Sequence, residues 1–216
     1  MLDVDAQLVE DGLFGTIQKA PADPILGLYE SFIEDPREEK LNLAIGVYRD
    51  EHGKTPLLAS VREAETRLLA AAAPKTYLGM AGLEALGPHI QRLIFGRDTT
   101  LIDSGRLETL QCPGGTGALR VAAEFFNQMH PNSRVWLPEP TWGNHKGIFE
   151  RAGVSVCSYP YLEPESMTLD MPKLLKCLNC VSPGDVVLLH GCCHNPSGLD
   201  PDAKQWKLLA EMLATK

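Results

Sequence analysis

The 216-residue chain carries 28 acidic against 20 basic side chains, a formal net charge of −8, with 44% hydrophobic and 22% charged residues. That balance fits one globular domain or slightly more and argues against a nucleic-acid partner, which requires a basic face. No apolar run approaches the ~18 residues that span a bilayer, so no membrane association is expected. The start, Met1-Leu2-Asp3-Val4-Asp5-Ala6, is acidic and lacks the basic and apolar regions of a secretory leader. A cytoplasmic location follows, with the six cysteines reduced.

Asp23 reads as an N-cap with Pro24 at the first helical position, and Ile25, Leu26, Leu28, Tyr29, Phe32 and Ile33 form the apolar face behind it. Ser60-Val61-Arg62-Glu63 reads as a capping box that leads a helix over residues 64–73. Residues 83–95 have helical periodicity, with Pro88 breaking or kinking the middle. The rhythm then becomes α/β. Strands are predicted at 108–111, 134–137, 154–159 and 185–190, and helices at 116–129, 142–152 and 171–178. Asp200-Pro201 is read as the cap and first-turn proline opening a last helix that runs through 206–216. Alternating short strands and helices predict a parallel sheet covered on both faces.

Three segments concentrate the chemistry. In Val187-Leu188-Leu189-His190-Gly191-Cys192-Cys193-His194-Asn195-Pro196-Ser197-Gly198 an apolar strand ends in a loop that presents an amide at the strand's carboxyl edge, where open α/β sheets bind ligands. Gln111-Cys112-Pro113-Gly114-Gly115-Thr116-Gly117-Ala118-Leu119-Arg120 turns into a helix whose first amides attract a phosphate, with glycines that let it approach. Pro138-Glu139-Pro140-Thr141-Trp142-Gly143-Asn144-His145 opens another helix. Each has an ordinary reading beside the functional one: a strand-to-helix turn, a plain helix start, and a core tryptophan. A zinc site built from Cys177-x-x-Cys180 with His190, Cys192 and His194 is a further alternative, weak because a single CxxC lacks a second spaced pair.

Taken in order, these segments resemble the class I pyridoxal-phosphate (PLP) aminotransferases, in particular the bacterial aspartate/aromatic aminotransferase group. Further matches are Ala22-Asp23-Pro24-Ile25-Leu26-Gly27-Leu28, Asn42-Leu43-Ala44-Ile45-Gly46-Val47-Tyr48, Lys75-Thr76-Tyr77-Leu78-Gly79 and the stretch from Asp202 to Trp206. The resemblance runs from about Phe14 to Lys216. It implies the α/β large domain of fold type I PLP enzymes, truncated, with a partial parallel or mixed sheet flanked by helices. Residues 1–13 become a disordered extension. Residues 14–60 become a segment contributing to the small domain and the active-site edge, and 61–216 the first half of the PLP-binding large domain.

The resemblance also implies roles. Gly114, Gly115 and Thr116 would hold the PLP phosphate, with Gly114 standing where many members carry serine. Trp142 would stack on the pyridine ring, and Asn195 would bond the phenolic oxygen. Gly46 would lie against the substrate carboxylate, with Trp142 and Asn195 also at the substrate; read alone, Gly46 is a plain strand glycine. His145 and His190 would stand behind the ring-nitrogen end, or be satisfied core histidines. Tyr77 would reach the phosphate of the other subunit of a homodimer; read alone, it is a loop tyrosine. The substrates implied are an amino acid, aspartate or aromatic, and a 2-oxo acid.

The residues assigned in the family to the Schiff-base lysine, the acid on the pyridine nitrogen and two anion-binding arginines have no match in this chain. An inactive fragment is therefore the competing reading. Four structural expectations follow. Glu139-Pro140 and Asn195-Pro196 are cis, and Gly115, Thr116, Trp142 and Asn195 converge on one cleft while Tyr77 sits apart. The sheet has a gap between strand 108–111 and strand 185–190, exposing Val187 and Leu189. The chain alone aggregates or melts without cooperativity.

Overall fold

In the computed structural model, which describes residues 15, 26–42, 46–97 and 100–216, the chain divides into two units, Met1–Lys75 and Thr76–Lys216. The first unit contains α1 (Leu26–Glu34) and α2 (Ala59–Ala71). The extension 1–13 and the Asp23-Pro24-Ile25 helix start lie outside the described residues. Ser60 does not cap α2. The cap position is Leu58, which offers no side-chain acceptor, and Ser60 already lies inside the first turn. The helix stops at Ala71, two residues earlier than expected, because Ala72 turns left-handed at φ 45°.

The second unit opens with α3 (Leu86–Phe95) and α4 (Thr100–Asp103). Pro88 is the third residue of α3, where its missing N–H would have had no partner, so it sits in the helix start rather than kinking the middle. Residues 108–111 form no strand. The Gln111 N–H donates instead to Ala81 O, and the Thr109 hydroxyl accepts from Gln91 Nε2, which also donates to Leu107 O.

The chain continues through α5 (Gly114–Met129), β1 (Arg134–Glu139), α6 (Asn144–Arg151), β2 (Ser155–Pro160), the antiparallel pair β3 (Leu162–Glu163) and β4 (Thr168–Leu169), α7 (Met171–Leu178), β5 (Val186–Val187) and α8 (Ala203–Leu213). The main sheet has the order β2-β1-β5, all parallel, with Trp136 opposite Cys157 on one side and Val187 on the other. Side-chain alternation sends neighbouring residues to opposite faces. Val135 and Leu137 bury with Ala123, Phe149, Ala152 and Val154, and Val186 and Leu188 pack against them. Trp136, Val187 and Leu189 pack instead on Tyr159, Leu174, Leu178 and Leu209. Both faces are therefore covered.

Two expectations need correction. The strand at 185–190 shrinks to Val186–Val187, although the Leu188 N–H still bonds Trp136 O at 3.0 Å. Val187 and Leu189 are half-buried against the core rather than exposed, because α7 and α8 pack over that face. What stays open is the edge, since β5 pairs only with β1 among the described residues. A second uncovered surface is the stripe Val121, Phe125 and Met129 along α5, spaced so that all three share one side of the helix.

Asp185 ties β5 to β1 at their amino-terminal ends. It accepts from Arg134 Nη2 at 2.7 Å, the Arg134 N–H at 3.0 Å and Trp136 Nε1 at 3.0 Å. Burial pushes this carboxyl up, but the bonds from Arg134 and Trp136 outweigh it and hold the group well below the usual carboxylate range. Asp185→Ala leaves the indole N–H without an acceptor and is expected to cost about 1–3 kcal/mol, read as a lower urea midpoint. An unchanged midpoint would show that the network contributes nothing to stability.

Candidate functional site

Helices α5 and α6 run back along parallel strands, so their amino-terminal ends lie at the carboxyl edge of the sheet, beside the loop that leaves β5. At α5 the cap position is Pro113, and no side chain caps the helix. Its first amides are thus left without intrahelical partners at the positive end of the helix dipole. Gly114 has φ +68°, which glycine alone adopts cheaply. A Cβ added at Gly114 or Gly115 would meet nothing within 4 Å, so the side-chain positions of this first turn are open. Gly117 differs, because a Cβ there would lie 2.9 Å from the Pro113 ring. The second half of the Gly-x-Gly pattern is a packing requirement that the sequence reading did not assign.

Trp142 falls just ahead of α6 rather than inside it. The His145 N–H donates to Trp142 O at 3.0 Å, and Thr141 Oγ1 meets His145 Nδ1 at 2.7 Å. This turn holds Trp142 half-buried, edge-on to His145 with centroids 5.2 Å apart. From there a series of rings crosses the sheet edge. His145 faces His190 at 5.3 Å, His190 stacks on His194 at 4.3 Å, and His194 lies flat on Tyr161 at 3.8 Å.

The loop after β5 is fixed at several points. The Asn195 N–H donates to His190 Nδ1 at 3.0 Å, and Ser197 Oγ pairs with His194 Nδ1 at 2.8 Å. Asp200, read from sequence as the cap of the last helix, turns back to accept the N–H groups of Cys193 and His194 at 2.7 and 2.9 Å. The cap of α8 is Asp202, which completes a capping box with Gln205. Asp200 is a site-supporting residue that sequence reasoning missed. Glu139-Pro140 and Asn195-Pro196 are both cis, as expected.

Burial is the main cause of the low pKa of all three histidines. It brings His145 and His194 down to about 4, with His190 adding to each, and it lowers His190 while Asp200 partly opposes. Burial also raises the Tyr161 hydroxyl to about 12. The imidazoles are therefore neutral near pH 7. Because neutral His190 accepts at Nδ1, its proton sits on Nε2. That Nε2, and the Nε2 of His194, are buried with no hydrogen-bond partner among the described residues. A buried donor left alone is costly, and that cost falls on the His190 Nε2–H.

Of Gly115, Thr116, Trp142 and Asn195, expected to converge on one cleft, Thr116 alone lines the cleft between α5 and α6. Thr116 and Arg120 of α5 face Gly143, Asn144, Gly147, Ile148 and Arg151 across one cleft of about 410 Å³. Trp142 reaches the Asn195 backbone through His145 and His190. Asn195 itself is exposed at the edge. Tyr77 is fully exposed and stands outside this cleft. Gly46 belongs to the first unit, exposed, with nothing near a Cβ position. Among the described residues no group of three or more His, Cys, Asp or Glu is arranged to hold a metal ion. Cys177 Sγ instead donates to Ser158 O, and Cys180 Sγ to Lys176 O.

Lowered histidine pKa values set a pH dependence. The unfolded chain takes up protons below about 6.5 that the folded imidazoles refuse until about pH 4. Stability from these groups is fully present above pH 6.5 and is lost as the pH falls toward 4. The urea midpoint should decline across that window, with NMR titration placing His145 and His194 near 4. Imidazoles titrating at ordinary values would remove the account.

Comparison with known proteins places this geometry. The sequence profile of the family described as aminotransferase class I and II matches residues 38–216. The aspartate aminotransferase of Escherichia coli strain K12 is 50% identical over 204 residues, covering 94% of this chain and 52% of that protein. The crystal structure of an aromatic amino acid aminotransferase from Burkholderia cenocepacia J2315 superposes with a TM-score of 0.90 at 45% identity, covering 94% of this chain and 51% of that one. An aromatic-amino-acid aminotransferase from Burkholderia pseudomallei, solved covalently bound to pyridoxal phosphate, gives a TM-score of 0.89 at 42% identity, with 94% and 51% covered. The chain spans about half the length of the relatives it matches. With the profile covering most of its residues and the fold shared throughout the match, the chain belongs to the class I and II aminotransferase family.

Proposed function

We propose that this chain forms the phosphate- and ring-binding half of a PLP-dependent aminotransferase. The whole protein would move an amino group between an L-amino acid, aspartate or aromatic, and a 2-oxo acid. In this reading residues 14–60 contribute to the small domain and active-site edge, and 61–216 form the first half of the large domain. The observation that carries it is the uncapped start of α5, where Gly114 has φ +68° and a Cβ at Gly114 or Gly115 would meet nothing within 4 Å; the buried His190 Nε2–H is a second donor without a partner among the described residues. That donor set fits an anionic ring compound.

Bound PLP would supply an electron sink for the pair released when the amino-acid Cα proton is removed. The chain's own residues bind and orient. The amides of Gly114, Gly115 and Thr116 hold the phosphate through the helix dipole. Trp142, kept edge-on by His145, offers its face to the ring. Asn195, its backbone set by His190, supplies a neutral amide donor at the phenolic oxygen. Gly46 leaves room for the substrate carboxylate. His145 and His190 stay neutral behind the ring and add no charge. Tyr77, exposed within its own chain, is assigned to the phosphate of a second copy in a homodimer.

No lysine here is assigned the covalent bond to the cofactor, so turnover is proposed for the protein that includes the residues supplying it. A chain that binds the cofactor without turning it over is the second reading. The two share a binding test. The 216-residue chain should bind PLP with quenching of tryptophan fluorescence that Trp142→Phe removes. Gly115→Val, which fills an open side-chain position of that turn, should weaken PLP roughly tenfold. Binding unaffected by either change would overturn the site. Adding the second half should then give aspartate or aromatic transamination if the enzyme reading is right, and none if it is not.

A further inference from the structure

Tyr77 and Met80 stand ahead of α3 as fully exposed residues, yet their loop is closely held. Its tip closes through a bridge between Gly79 and Gly82, with the Gly82 N–H bonded to Gly79 O at 2.9 Å. One residue from elsewhere, Gln111, grips that tip in three ways. Its N–H donates to Ala81 O at 2.9 Å, and its Oε1 accepts the Leu83 N–H at 2.8 Å. Its Cβ also lies 2.3 Å from where a Cβ on Gly82 would stand. Gly82 has φ +94°, so both backbone and space demand glycine. Only Cys112 and Pro113 separate Gln111 from Gly114. A single residue thus joins the tyrosine loop to the first turn of α5.

We infer that Gln111 is a positioning residue for phosphate recognition. It fixes the loop bearing Tyr77 against Gly114–Thr116. In a two-fold dimer that internal distance also sets where each Tyr77 arrives at the other copy's phosphate site. The inference rests on the cofactor reading above and adds a residue that does not itself touch the ligand. Gln111 contributes through a side-chain acceptor, which glutamate can replace and alanine or methionine cannot.

The test compares equilibrium binding of PLP and of pyridoxal, which has the same ring without the phosphate, to the full chain and to Gln111→Ala, Gln111→Met and Gln111→Glu. Gln111→Ala and Gln111→Met should each weaken PLP about five- to tenfold, the scale of one lost hydrogen bond with its consequences. Pyridoxal should be unchanged, and Gln111→Glu should stay within about twofold of the parent. Tyr77→Phe added to Gln111→Ala should cost little more. Hydrogen exchange should speed up at the Leu83 amide while the sheet keeps its protection. PLP affinity unchanged in Gln111→Ala and Gln111→Met, or equal weakening of both ligands, overturns the role of Gln111 and leaves the cofactor reading standing. A parent chain that binds PLP no better than pyridoxal overturns the cofactor reading, and this inference with it.

Discussion

Everything at the site hangs on the burial of β1 from both sides. Its alternation sends Val135 and Leu137 toward α5 and α6, and Trp136 toward α7 and α8. A parallel strand in this position needs cover on each face, and the covering helices must return antiparallel to it. That return brings the amino-terminal ends of α5 and α6 to one edge, where β1 and β5 also finish. The cleft between Thr116 and Gly143 follows from strand direction. A register slip of one residue would exchange the two faces and scatter the site.

The fold was legible where periodicity and punctuation agree. The helices at α5 and α7 and the parallel strands β1 and β2 lie where the residues indicated, and the two cis bonds where the family resemblance implied them. Failures came where a local signal had two possible owners. Asp200 and Asp202 are both plausible caps, and only the packed loop decides that Asp202 caps α8 while Asp200 holds the Cys193 and His194 amides. Residues 108–111 have strand composition, but the Gln111 N–H turns to Ala81 O and the Thr109 hydroxyl to Gln91 rather than to a neighbouring strand. Ser60-x-x-Glu63 matches a cap pattern, yet the helix starts one residue ahead of the serine.

For the site, resemblance supplied the roles and the residues alone supplied little. Gly114–Thr116 read by itself is a helix start, and what distinguishes it is spatial: no cap and open side-chain positions at the glycines. The series from Trp142 through His145 and His190 to His194 could not be seen in sequence, because its members come from two segments nearly fifty residues apart, the start of α6 and the loop after β5. Gln111 was invisible for the same reason. Its partners at 81–83 lie in a stretch whose only sequence signal is a pair of glycines.

The neutral imidazoles have a consequence for how an anion would be held. His145, His190 and His194 carry no charge near pH 7, and Asn195 and Thr116 have none to carry. The formal cations at the cleft are Arg120 and Arg151, and Arg120 is engaged by Glu124. Attraction at this edge therefore combines oriented backbone dipoles at contact distance with the charge of Arg151. Dissolved ions screen exposed charges over about 10 Å at 0.1 M but barely intrude between an amide and an oxygen that touches it. Such a pocket discriminates by shape and proximity, and the amide share of its grip should be nearly indifferent to ionic strength.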